Sequence, residues 1–196
     1  MGILLAVLAP LAFVNTQLLR SGRAIGVVAI ALMVAAILTQ VVFRYVLNNA
    51  LPWPDEAARF CMLWMTGLMA PTAFRRGGFV AIDMVGHLLP RFLGALLSLL
   101  LLFMSLTVLL MAVRIGYLEV TGFSGKFATA SLYLPGSLTF SDWVRVPRSW
   151  MMASLLVGAT LLVLVNVELI LRGLVTCLGG DDRLPAIPDA DLAGAD

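Results

Sequence analysis

Long uncharged stretches divide the chain. Ala24–Phe43 runs 20 residues without a charged side chain, and Leu93–Val113 runs 21. Ser149–Val167 runs 19, and after Glu168 the apolar run resumes at Leu169–Leu171. A helix rises about 1.5 Å per residue, so each stretch is long enough to cross a hydrocarbon core roughly 30 Å thick. These runs predict helices over 23–46, 92–113 and 149–171. A fourth helix is less obvious, because only 15 residues separate Arg59 from Arg75. Starting it at Pro54 supplies the missing length. Proline suits the first helical position, and Asp55 and Glu56 then fall in the first turn, where carboxylates favour the helix dipole. The expectation is an all-α integral membrane protein with four transmembrane helices, the second running over 54–74.

The segments between the spans differ in kind. Met1–Leu19 is apolar, but no basic residues precede it, so it makes a poor signal peptide. Pro10 and Asn15-Thr16-Gln17 weaken it as a span. It reads as an interfacial or extended helix over 1–22, with a fifth span as the rival. Gly77-Gly78 breaks the chain after Arg75-Arg76. Beyond it, Asp83, His87 and Arg91 recur every four residues and share one face of a short helix. Phe79, Ile82, Val85, Leu88 and Leu89 fill the rest, as expected of an amphipathic helix lying in the membrane surface. Arg114–Arg148 is the longest loop. The membrane domain is placed at 23–172, and 173–196, with Pro185, Pro188 and its aspartates, at a tail expected to be disordered.

Composition supports this class. The chain is 61% hydrophobic and 12% charged, about half the charge of a soluble domain. A net charge of +2 with no long basic run suggests no nucleic-acid partner. The single histidine rules out a bis-histidine haem built within the chain. Zinc-ligand spacing, a phosphate loop and a second histidine for a triad are all missing from the sequence. No catalytic, cofactor-binding or metal-binding residue is assigned, and no cofactor is expected. Cys61 and Cys177 read as inert thiols. Thr39, Gln40, Ser98, Ser105, Thr107, Ser154, Thr160 and Asn166 are isolated neutral groups within the spans. They suit helix–helix hydrogen bonding better than a substrate path. The basic residues split almost evenly between the two sides of a four-span chain. Arg75-Arg76, in the shorter loop, favours cytoplasmic termini.

The charges around the start of helix 2 form the main candidate cluster. Asp55 and Arg59 are four residues apart, and Glu56 and Arg59 three, so intrahelical pairs are geometrically ready. Arg44, at the end of helix 1, lies on the same membrane face. A pair with Glu56 or Asp55 would pin the helix 1–helix 2 hairpin. The competing reading is that these charges snorkel to lipid headgroups. Trp53 suits the aromatic belt at the membrane boundary.

Several pieces of the chain together resemble a known family. These are Arg44-Tyr45, then Trp53, Glu56 and Arg59, then Trp64, then Arg76-Gly77-Gly78, then Asp83, and then Leu89-Pro90. The pattern is similar to the small membrane subunit of tripartite ATP-independent periplasmic (TRAP) transporters, the DctQ-like family. Where that family usually carries histidine after the glycine pair, this chain has Phe79-Val80, and His87 lies elsewhere. The resemblance implies a non-catalytic scaffold in a bacterial inner membrane. Its partners would be a large multi-span permease, a periplasmic substrate-binding protein and lipid. The assembly would import an organic acid, commonly a carboxylate, on an ion gradient. Arg44, Trp53, Asp55, Glu56, Arg59, Trp64, Arg75, Arg76 and Asp83 are then structural or interface residues. Lys126, Trp143, Arg145 and Arg148 are candidates for docking the binding protein. A small membrane enzyme using Asp83 and His87, or the membrane anchor of a redox complex, are the alternatives.

Overall fold

The computed structural model describes residues 2–76, 91–135 and 143–177. Four helices account for most of them: α1 (Gly2–Tyr45), α2 (Trp53–Arg75), α3 (Arg91–Thr121) and α4 (Arg148–Cys177). A short 3-10 turn (Phe123–Lys126) and an antiparallel hairpin of β1 (Ala128–Pro135) and β2 (Trp143–Pro147) link α3 to α4. The expected interfacial helix and C-terminal tail lie mainly outside the described residues.

Among the described residues, three helices are long and apolar enough to cross a membrane: residues 6–45, 93–121 and 148–177. Helix α2 is not among them: its most apolar stretch, residues 57–74, still holds Arg59 and Pro71 and is less hydrophobic than the other three helices. Residues 2–22, read as an interfacial or an extended helix, run into helix 1 without a break, despite Pro10. At about 1.5 Å per residue, α1 is roughly 66 Å long, twice what the hydrocarbon core requires. Helices α3 and α4 also outrun their expected ends, so part of the predicted loop is helical.

Contacts set the directions. On α1 and α2, Gly22 meets Leu68 and Ala12 meets Arg75, so the two run antiparallel. On α2 and α4, Trp64 meets Trp150 and Arg75 meets Glu168, so they run parallel. Gly116 meets Leu156 and Gly173 meets Leu99, so α3 returns antiparallel to α4. The helices therefore alternate up and down, and α4, which packs against the other three, buries Ser154, Gly158, Ala159, Val165, Asn166 and Glu168 among others.

The packing face of α1 follows a heptad. Leu8, Ala12, Asn15, Leu19, Gly22, Gly26, Ala29, Ala36 and Gln40 are buried, and half-buried Met33 fills the one gap. The spacing alternates four and three, the seam of a left-handed helix pair. Gly22 and Gly26 let α2 approach closely: a Cβ on Gly22 would sit 3.2 Å from the Leu68 carbonyl oxygen. The contact between α2 and α4 is tighter still. A Cβ on Gly67 would lie 2.5 Å from the Ser154 carbonyl oxygen, and one on Gly158 would lie 2.8 Å from Gly67 Cα. Helices meeting without a solvent-driven hydrophobic force between them rely on such close backbone approach.

Candidate functional site

Two polar assemblies stand out, one at each end of α2. The first centres on Glu168, which is completely buried. Arg75, the last residue of α2, donates from Nη2 to Glu168 Oε1 at 2.7 Å. One helical turn on from Glu168, Arg172 donates from Nε to the same oxygen at 3.0 Å and brings Nη2 to 2.9 Å. Asn15 of α1 donates from Nδ2 to Oε2 at 2.8 Å and also reaches the Leu164 carbonyl at 3.2 Å. Arg75 reaches α1 as well, donating to Thr16 Oγ1 at 2.8 Å and the Ala12 carbonyl at 3.2 Å. One carboxylate thus joins three helices and balances one of two guanidiniums. An ionised group in such a place is tolerated only when paired and hydrogen-bonded.

The second assembly docks the hairpin onto α2. Residues Ala128 and Tyr133 of β1 pair with Pro147 and Arg145 of β2, so β1 carries extra residues between the two pairs and bulges. A bulge leaves backbone N–H groups without ladder partners. Glu56 accepts from two of them, Ala130 N at 2.9 Å and Ser131 N at 2.5 Å, and from Ser131 Oγ at 2.6 Å. Ser131 Oγ also lies 2.8 Å from the Pro52 carbonyl. Glu56 sits in the first turn of α2, outside the candidate spans. Burial alone would push its carboxyl up, but the hydrogen bonds from Ser131, Ala130 and Leu132 outweigh that and hold it below its ordinary value. It therefore stays ionised at neutral pH and keeps accepting from the bulge.

The expected Arg44–Glu56 pair does not form. Arg44 is exposed, with its guanidinium 5.9 Å from the ring centroid of its neighbour Tyr45. Among the described residues, neither Asp55 nor Arg59 joins an ion pair, and both are exposed. Glu56 prefers the strand because the unpaired backbone donors are fixed in place, whereas Arg44 stands exposed. Trp53 is exposed beside a cavity of about 510 Å³ lined by Pro52, Ser131, Leu132 and Tyr133. Trp64 donates from Nε1 to the Trp150 carbonyl at 3.2 Å, fastening α2 to α4. Arg76 is exposed at the end of α2, and Asp83 lies outside the described residues.

The four docking candidates separate. Lys126 is exposed on the 3-10 turn, and Arg148 is exposed at the start of α4. Arg145 donates to Tyr133 Oη at 2.9 Å and lies over that ring at 5.2 Å. The backbone of Trp143 pairs with Pro135 at the far end of the hairpin. The isolated hydroxyls do not bond between helices as expected. Thr39, Ser98, Thr107, Ser154 and Thr160 all donate to carbonyls three or four residues back in their own helices. Asn166, completely buried, has no hydrogen-bond partner for either amide atom.

The Glu168 assembly was missed in sequence. Its signal was present: a lone carboxylate inside an apolar run, with an arginine four residues later. An ionisable residue within a span marks a site by default. Along the chain, Asn15 stands only as a polar interruption of the first apolar segment.

Residues 33–176 match the family model described as "Tripartite ATP-independent periplasmic transporters, DctQ component". The chain belongs to the DctQ family. It is therefore the small membrane component of a TRAP transporter. A comparison with curated proteins gives no match. In this DctQ chain the matched region begins within α1 and takes in Arg75, Glu168 and Arg172, whereas Asn15 lies ahead of it.

Proposed function

We propose that this DctQ chain is a non-catalytic scaffold that holds a large multi-span permease in the inner membrane of a bacterium. It works with a periplasmic binding protein to import an organic acid, a carboxylate above all, on an ion gradient. The Glu168 network carries this reading. The buried carboxylate is engaged by Arg75, Arg172 and Asn15, so its chemistry serves to join helices rather than to pass an ion. In this reading α2 also crosses the membrane, as the sequence predicts over 54–74, with its charged first turn at the boundary, giving four passes with both termini in the cytoplasm. The up-and-down order of the helices supports four passes with both termini on one side. The hairpin then faces the periplasm, and Arg145 and Arg148 meet carboxylates on the docked binding protein, helped by a Trp143 contact.

Reconstitution tests the proposal. Proteoliposomes holding this chain alone, with an imposed sodium gradient and a panel of carboxylates, are expected to show no uptake. Addition of the large subunit and the binding protein is expected to restore it. Uptake by this chain alone overturns the scaffold reading.

A further inference from the structure

The turn between α3 and the hairpin carries an exposed aromatic pair that the docking reading leaves unused. Phe123 is 77% exposed, the highest value among the large exposed hydrophobic residues described, and Phe127 is 54% exposed. Their ring centroids lie 5.2 Å apart at 85°, an edge-to-face pair, so the two rings form one unit. Lys126, also exposed, stands between them in sequence.

The backbone holds this unit outward. Gly122 N donates to the Leu118 carbonyl at 2.7 Å, closing the end of α3. Gly125 is buried, and a Cβ there would lie 2.7 Å from the Val120 carbonyl oxygen and 2.8 Å from that of Glu119. The turn is therefore folded down onto the last turn of α3. Arg148 N donates to the Phe127 carbonyl at 2.8 Å, fixing the other end. Rings placed in this way on a fastened turn are not waiting to fold into a core.

Their surroundings identify what covers them. Phe123 comes two residues after the end of α3, a helix long and apolar enough to cross a membrane. The exposed apolar face of α3 continues through Met111, Ile115 and Leu118 to the turn. The turn thus stands where hydrocarbon gives way to headgroups. Lys126 is exposed on the turn itself and complements phosphate charge. Rings with a neighbouring cation are what an interfacial anchor requires.

We propose that Phe123, Lys126 and Phe127 form a membrane-surface anchor seated in the headgroup layer of anionic phospholipid. The two rings enter the boundary and the ammonium meets phosphate. This ties the α3–α4 connection, and with it the hairpin, to the membrane plane. Lys126 is then a lipid contact rather than a docking contact.

Spin labelling tests this on the full chain. Phe127→Cys, with Cys61→Ser and Cys177→Ser, is labelled and reconstituted in phosphatidylethanolamine–phosphatidylglycerol vesicles. Collisions with lipid-soluble oxygen are expected to exceed those with a water-soluble nickel chelate. The ratio should shift towards the chelate when Lys126→Glu is added. Phe123→Cys, labelled in the same way, gives an independent reading if the first variant fails to fold. Dominant collision with the chelate overturns the anchor, as does protection that develops only when the binding protein is added.

Discussion

Glu168 is the residue on which the bundle depends most. Its carboxylate is a counter-charge shared by two buried guanidiniums, and its second oxygen holds α1 through Asn15. Removing the charge takes from buried Arg75 and Arg172 the carboxylate they share. Breaking a buried pair from one side costs about 3–5 kcal/mol, whereas replacing all its members with apolar residues is often near neutral. Glu168→Gln is therefore expected to lower the thermal midpoint of the purified protein markedly. Combining Arg75→Met, Glu168→Leu and Arg172→Met should recover much of the loss. Thermal unfolding in detergent, followed by circular dichroism, checks both. A triple variant no more stable than Glu168→Gln would mean that the network contributes more than charge balance.

At the scale of elements, the contact between α2 and α4 depends on missing side chains. Gly67 and Gly158 face one another, and a Cβ on either meets backbone rather than the yielding tip of a side chain. Any substituent there must push the helices apart, which also draws Arg75 away from Glu168. Overpacking of this kind typically costs about 1–3 kcal/mol. Gly158→Val is expected to lower the thermal midpoint and reduce co-purification of the large subunit. Gly122, which closes a helix end away from this contact, offers no such coupling. The measurement is pull-down of the large subunit at matched expression. Unchanged recovery would mean that the α2–α4 distance does not shape the partner surface.

For the whole molecule, the alternation of helix directions makes a statement about topology. Helices α1 and α2 run antiparallel, α2 and α4 parallel, and α3 and α4 antiparallel. The start of α1 and the end of α4 therefore lie at the same end of the bundle, near Arg75. The expected outcome is that reporters active only in the cytoplasm give the same signal when fused to either terminus. Opposite signals would mean that the long α1 crosses in a way that separates the termini.

Much of this was legible along the chain. The uncharged runs located α1, α3 and α4, because crossing hydrocarbon demands length without charge and that demand is local. The carboxylates and proline at the start of α2 located its first turn for a similarly local reason. The pattern from Arg44 to Pro90 pointed to the DctQ family. The sequence did not reveal which faces meet. In a soluble helix the buried stripe is apolar and the outer face polar, but lipid makes both faces apolar and erases that contrast. The seam from Leu8 to Gln40 is visible only once α2 and α4 lie against it. The partners of Glu56 and Glu168 were hidden for a related reason. Arg44 and Arg59 were the nearer charges in sequence, yet a bulged strand 74 residues away offered Glu56 fixed donors. Glu168 found Asn15 at a separation of 153 residues. Sequence decided which segments can enter the membrane. Only the tertiary structure decided where each polar group is satisfied, because a buried charge takes the donors that packing brings within reach.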